Sequence, residues 1–150
     1  MPDLSTPLTA NLHYAGPYRH ELEQMDETNE CKFCSPEFQE KKIFEWGGWI
    51  VLRNNYPATD RQGGQPAHQL LFVPIRHKDV TEPMSLIDWT CFAKLLELCK
   101  REFGIKGICL FVRDGEPSVS GCTVRHRHVH GYEPRIGEDG KPIPIDIPAG

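Results

Sequence analysis

The sequence predicts an α+β domain in which an antiparallel sheet carries one long α-helix. Three observations predict it. Two β-rich runs, Ile43-Phe44-Glu45-Trp46 and Trp49-Ile50-Val51-Leu52-Arg53, are separated only by Gly47-Gly48, a pair able to supply the positive φ angles of a two-residue hairpin turn. Between Ser85 and Phe103 the apolar residues Trp89, Phe92, Leu96, Cys99 and Phe103 recur at spacings of three and four, the period of a helix with one buried face. Further short apolar runs lie on both sides of that helix. Several strands interrupted by a single helix favour an antiparallel sheet over a wound parallel one.

In chain order, residues 1–25 are polar and include Pro2, Pro7, Gly16 and Pro17, which predicts an irregular arm. The domain proper is expected over residues 26–135, with its core starting near Cys31. After the hairpin, residues 54–67 contain Pro57, Asp60, Gly63, Gly64 and Pro66 and predict a long surface loop. Leu70-Leu71-Phe72-Val73 reads as a strand. Ser85 is placed to cap the helix and Gly104 to stop it. Ile108-Cys109-Leu110-Phe111-Val112 is the next strand, residues 114–121 a turn-rich loop, and residues 124–132 a final strand. A Pro- and Gly-rich tail, residues 136–150, closes the chain. Trp46, Trp49 and Phe72 are expected to be core residues rather than a platform for a base.

At 150 residues and 39% hydrophobic content, the chain is the size of one domain. Its formal charge of −4 lacks the broad basic footprint of a nucleic-acid binder. No run of about 18 apolar residues is present, so no membrane partner is expected. The six cysteines include Cys91 and Cys99 in the helical pattern and Cys109 in an apolar run. Buried reduced thiols are distributed this way, which points to a cytoplasmic protein.

The residues with the strongest chemical content lie near the end of the chain. His126, His128 and His130 are three of its seven histidines and recur at every second position. In a strand they share one face at a pitch of roughly 6.5–7 Å, as nucleophilic, acid-base or metal work near neutral pH requires. Cys31-Lys32-Phe33-Cys34 is a Cys-x-x-Cys pair, open to reading as half a zinc site or as a redox dithiol. Zinc is preferred, because a thioredoxin-like context is weak here and His77 and the triad offer further ligands.

Four stretches in this order resemble the histidine triad superfamily of nucleotide hydrolases and transferases. They are the Cys31/Cys34 pair, Asn54-Asn55-Tyr56-Pro57, the strand His68-Gln69-Leu70-Leu71-Phe72-Val73-Pro74 continuing to His77, and Gly121-Cys122-Thr123-Val124-Arg125-His126-Arg127-His128-Val129-His130. Together they cover about two thirds of the chain. The resemblance implies a strongly bent sheet and hydrolysis of the α-phosphate linkage of a nucleoside conjugate or dinucleoside polyphosphate. His128 would be the catalytic nucleophile, forming a nucleotidyl-histidine. His130 would contact the phosphate, Thr123 would donate to a phosphate oxygen or the leaving group, and Asn54 would hold the ribose. Cys31, Cys34, His77 and His126 would bind a structural zinc. The alternatives are a nucleotidyltransferase or phosphorylase of the same superfamily, a nucleotide-binding protein without turnover, and a triad that holds a catalytic metal.

The chain departs from the pattern at Arg125 and Arg127, which stand where apolar residues usually separate the histidines. Alternation predicts that both face solvent or a partner surface, and phosphate binding within the chain or across a homodimer is the other reading. Arg113-Asp114-Gly115 lies near where an asparagine often contacts the phosphates. His68 is expected to be structural or a ligand, and His13 and His20 lie in the arm.

Overall fold

The computed structural model describes residues 8–10 and 16–147. Five strands form one antiparallel sheet in the order β1-β2-β3-β5-β4, as the sequence predicts. β1 (Phe44–Trp46) and β2 (Trp49–Arg53) are joined by Gly47 at φ 61° and Gly48 at φ 81°. Two successive left-handed residues reverse the chain with the twist that antiparallel strands require. β3 (His68–Pro74) runs beside β2, with Val51 opposite Phe72. β5 (Val129–Glu133) lies between β3 and β4 (Cys109–Val112), pairing His130 with Leu71 on one side and with Phe111 on the other.

The long helix runs over Leu86–Phe103; because two shorter helices precede it, it is α3. Ser85 accepts from the Asp88 amide while the Asp88 carboxylate accepts from the Ser85 amide, a reciprocal cap that satisfies two otherwise orphaned donors. Gly104, at φ 64°, ends the helix in the left-handed conformation. Phe92, Leu95 and Cys99 form its buried stripe and pack on Trp49, Val51, Leu70, Phe72 and Val129. The alternate residues Ile50, Leu52, Leu71 and Val73 belong to a second cluster on the other face. The central strands are therefore buried on both sides, which explains their unbroken apolar sequence.

Three expectations are corrected. Residues 16–25 of the predicted arm lie in a 13-residue helix, α1 (Gly16–Thr28), with Leu22 and Met25 buried in the second cluster. Pro17 stands in the first turn, where its missing N–H costs no helical hydrogen bond. So few apolar residues mark the helix that its period was hidden among polar ones. His13 lies outside the described residues. A short 3-10 turn (Lys32–Cys34) and α2 (Pro36–Glu40) follow, with Phe33 and Phe38 buried.

The predicted histidine strand is also shorter than residues 124–132, and β5 starts at Val129. The preceding backbone is taken by loops rather than by the sheet. Arg125 N–H donates to the Leu8 carbonyl at 2.9 Å, Val80 N–H to the Arg125 carbonyl at 2.9 Å, and Arg127 N–H to the Lys78 carbonyl at 2.7 Å.

The third correction concerns the two arginines. Arg125 pairs with Asp79, Nε to Oδ2 at 2.9 Å. Arg127 is fully buried; it pairs with Asp114 and donates to the carbonyls of Val80 at 2.8 Å and Glu82 at 2.6 Å. It faces away from His128, as alternation requires, but the loops of residues 78–82 and 113–115 cover that side and exclude water. The last described residues are docked as well. Ile143 is buried, Ile145 bridges to Asp60, and Asp60 accepts two hydrogen bonds from Arg135.

Candidate active site and metal cluster

A cavity of about 370 Å³ opens on one face of the sheet. β3 and β5 place Leu71 and His130 in its wall, and the segment before β5 adds Thr123 and His128. Tyr18 enters from α1, Phe33 from the 3-10 turn, and Asn54 from the end of β2. The lining thus combines aromatic and amide side chains with histidine, threonine and Arg113.

His128 accepts no ambiguity in its tautomer. Its Nδ1 lies 2.9 Å from the His126 carbonyl, an acceptor only, so Nδ1 must carry the hydrogen and Nε2 keeps its lone pair. Burial pushes its pKa down to about 4, the His126 carbonyl opposing the shift and the charges of Lys32 and Arg113 adding to it. His130, 5.0 Å away between ring centroids, is pushed down to about 3 by burial, with further contributions from His128 and Arg113. Both rings are therefore neutral at neutral pH. The buried Nδ1 of His130 has no hydrogen-bond partner among the described residues. Phe33 presents an edge-to-face contact to His128 at 5.3 Å and another to His126 at 5.6 Å.

Asn54 closes an Asx turn, its Oδ1 accepting from the Tyr56 amide at 2.9 Å. Tyr56 meets Tyr18 at a ring-centroid distance of 4.5 Å. Lys32 lies 5.5–5.7 Å from the rings of Tyr18, Phe33 and Tyr56 and pairs with Glu21 at 3.0 Å.

Beside the cavity, Cys31, Cys34, His77 and His126 converge, with one donor atom from each lying within 4.8 Å of all the others. Cys31 Sγ and Cys34 Sγ are each 3.4 Å from His126 Nδ1, and Cys34 Sγ is 3.3 Å from His77 Nδ1. Tetrahedral zinc with bonds of about 2.0–2.3 Å sets neighbouring donors roughly 3.3–3.8 Å apart. The three sulfur-to-nitrogen separations match that spacing, and no pair of donors is further apart than 4.8 Å. His126 Nε2 is 2.9 Å from the Pro74 carbonyl and must donate to it, which leaves the Nδ1 lone pair facing the two sulfurs. Hydrogen bonding between the sulfurs pushes the Cys31 thiol down and the Cys34 thiol up, so without a metal the pair shares one proton.

All seven residues singled out from the sequence for catalysis or metal binding, together with Asn54, fall in these two adjoining places. His68 stands apart, its Nδ1 2.6 Å from Glu133 Oε2 across β3 and β5, which is a structural contact. His20 is exposed. Trp49 and Phe72 are buried in the core, and Trp46 is 40% exposed. Sequence reasoning missed Tyr18, Lys32 and Phe33 as cavity residues, while Tyr56 and Arg113 belong to stretches that the resemblance had marked. Lys32 and Phe33 are the two residues inside the Cys-x-x-Cys turn, whose 3-10 conformation directs their side chains. That was the available signal for them; none marked Tyr18.

No family model matches the sequence, and no curated protein does. Solved structures do resemble it. A HIT family hydrolase from Clostridium thermocellum superposes with a TM-score of 0.53 at 21% identity, over 75% of this chain and 95% of that one. A HIT family hydrolase from Legionella pneumophila Philadelphia 1 gives 0.52 at 21% identity, over 75% and 100%. A HIT-like protein gives 0.52 at 18% identity, over 63% and 86%. The agreement extends over nearly the whole of those proteins, and this chain has the fold of the histidine triad proteins.

Proposed function

We propose that this chain is a nucleotide hydrolase that cleaves the α-phosphate linkage of a nucleoside conjugate or dinucleoside polyphosphate through a covalent intermediate on His128. The observation that carries the reading is the fixed tautomer of His128. Its Nδ1–H is spent on the His126 carbonyl, its neutral ring lines the cavity, and Nε2 holds the lone pair that attacks phosphorus. Attack forms the Nε2–P bond and breaks the bond from phosphorus to the leaving group, which departs with the electron pair. Thr123 and His130 line the same wall. Their O–H and N–H groups would stabilise charge on the phosphate oxygens and deliver a proton to the departing atom. Water then attacks the phosphorus of the nucleotidyl-histidine, breaks the N–P bond and regenerates neutral His128. Asn54, with its Oδ1 engaged by Tyr56, would offer its amide N–H groups to the ribose.

The HIT family hydrolases of the same fold support a hydrolytic reading. Cys31, Cys34, His77 and His126 would hold one zinc with four protein ligands and no open position, so the metal would support structure rather than activate water. It would act on chemistry only by fixing Phe33 and the His126 carbonyl, the two groups that orient His128.

The test is mass spectrometry of the protein mixed with a panel of nucleotide conjugates and quenched in base, which preserves the phosphoramidate. An adduct of one nucleoside monophosphate on the peptide containing His128 is expected. An adduct confined to another residue, or turnover that survives in His128→Ala, would overturn the assignment.

A further inference from the structure

The C-terminal tail reaches the cavity and takes no part in the chemistry proposed above. Asp146 and Ile147 stand in the cavity wall together with residues 54–58. From Pro142 to Ile147 every second residue is isoleucine, and the residues between are Pro142, Pro144 and Asp146. Ile143 is buried and Ile145 and Ile147 are half-buried, whereas Pro142, Pro144 and Asp146 are exposed. The tail is thus an extended strap with one apolar side against the protein. Its prolines fix φ and lower the entropy that the strap loses on docking.

The root of the strap is held firmly. Ile143 N–H donates to the Arg135 carbonyl at 2.8 Å. The buried Asp60 carboxylate accepts from Arg135 Nε at 2.8 Å and from the amides of Gln62 and Gly64, both at 3.0 Å. A Cβ at Gly64 would lie 2.1 Å from the Arg135 guanidinium, so only glycine lets the loop close this far on the tail. Further on, Arg61 N–H donates to the Pro144 carbonyl at 3.0 Å, and Ile145 bridges to Asp60. The tip is held differently. Asp146 accepts from the Arg61 guanidinium, Nη2 to Oδ1 at 2.7 Å and Nε to Oδ2 at 3.0 Å, and these two side chains are 63% and 70% exposed, Arg61 first. Water and salt screen such a pair, so this tie is weak beside those at the root. The strap therefore has a fixed root and a tip that can leave the cavity wall without disturbing the sheet.

We propose that Asp146 and Ile147 are the moving tip of a strap that closes over the nucleoside part of a bound nucleotide, and that the Arg61–Asp146 pair is the latch that sets how tightly the ligand is held. This rests on the nucleotide reading above and adds to it a binding element from outside the histidine segment. The tip joins the wall together with residues 54–58, where that reading puts the ribose. Ile147 lends apolar contact to the nucleoside, and the phosphates stay with Thr123, His128 and His130. Closed tip and bound ligand stabilise each other, so weakening the latch weakens binding.

The test is calorimetric binding of AMP and UMP to the full chain and to Arg61→Ala, Arg61→Lys and Asp146→Asn, with hydrogen exchange of the tail measured on the same samples. Wild type should bind at least one of the two nucleotides, and that ligand should slow exchange at Asp146 and Ile147 at least about threefold. Arg61→Ala and Asp146→Asn should each weaken binding at least about threefold, and Arg61→Lys less. Combining Arg61→Ala with Asp146→Asn should weaken it no further, because one latch is removed in all three proteins. In about 1 M salt, which screens the pair, the variants should converge on wild type. Thermal melts check the fold, and Asp146→Asn carries the test if Arg61→Ala fails to fold. Unchanged affinity in a folded Arg61→Ala or Asp146→Asn protein, or tail exchange indifferent to the ligand, overturns the strap and leaves the nucleotide reading standing. Wild type that binds neither nucleotide overturns both.

Discussion

Replacing Arg127 by alanine tests whether the buried guanidinium joins the two loops behind His128. The side chain is fully buried and donates to the carbonyls of Val80 and Glu82 as well as to Asp114. Those partners do not suffer equally when it is removed. Asp114 is 62% exposed in its side chain and rehydrates, so its share of the ion pair is small. The Val80 carbonyl retains the Gly115 amide at 2.9 Å. The carbonyl of Glu82, an exposed residue, loses the one donor identified for it, at a cost of about 1 kcal/mol, the low end for an unpaired group because water reaches it in part. The aliphatic stem of the arginine leaves a void whose collapse is incomplete, which adds about 1–2 kcal/mol. The expected loss is about 2–3 kcal/mol, a substantial part of the roughly 5–15 kcal/mol that holds a domain of this size together. Urea denaturation of wild type and Arg127→Ala with matched metal content measures it, and Arg127→Lys should fall between, because one ammonium cannot reach all three acceptors in the same geometry. A loss under about 1 kcal/mol would show that Arg127 is solvated and that the packing described for this face is wrong.

His128→Ala is expected to lower turnover to below about 1% of wild type while retaining the metal, as removal of a covalent nucleophile does. Parallel kinetics and elemental analysis check both halves. Purified without chelator, the protein should contain one zinc per chain, and Cys34→Ser should lower the melting temperature by several degrees, since binding energy at four converging ligands is folding energy. A metal-free protein, or a melt unaffected by chelation, would refute the zinc site. The pH dependence of stability should include a component from Asp88, whose carboxyl is held down to about 2 by Lys78, its Nζ 2.6 Å away, and by Ser85. A depressed folded-state pKa stabilises the protein above the ordinary carboxylate pKa, and this contribution fades as pH falls from about 4 towards about 2. Thermal melts should accordingly show that Asp88→Asn costs more stability at neutral pH than at about pH 2; a pH-independent difference would exclude the ionic contribution.

Much of the sheet was legible because each of its signals is local. Glycine is the residue most at ease at the positive φ angles that Gly47 and Gly48 both adopt, and the helix period from Trp89 to Phe103 lies between a residue that caps and a residue that stops. The clustered histidines were legible from their spacing, although His126 and His128 precede the strand instead of lying in it. Isolated bridges at Val124 and His126 take the place of sheet pairing before β5, and His128 and His130 still line one cavity. What the sequence hid was tertiary in origin. Tyr18 lines the cavity only because Leu22 and Met25 dock α1 on the second core. Arg127 read as a solvent-facing residue because alternation gives the side of a strand and is silent on what covers that side. Here it is covered by residues 78–82 and 113–115, whose own sequence resembles ordinary loop.

The most direct test of the central claim is the stereochemistry at phosphorus. Each in-line displacement inverts that centre, so hydrolysis through a nucleotidyl-histidine on His128 inverts it twice. A nucleoside α-phosphorothioate substrate of known configuration, cleaved in isotopically labelled water, should give a chiral thiophosphate product with overall retention. Overall inversion would mean that water attacks the α-phosphorus directly, and it would contradict the assignment of His128 as a covalent nucleophile.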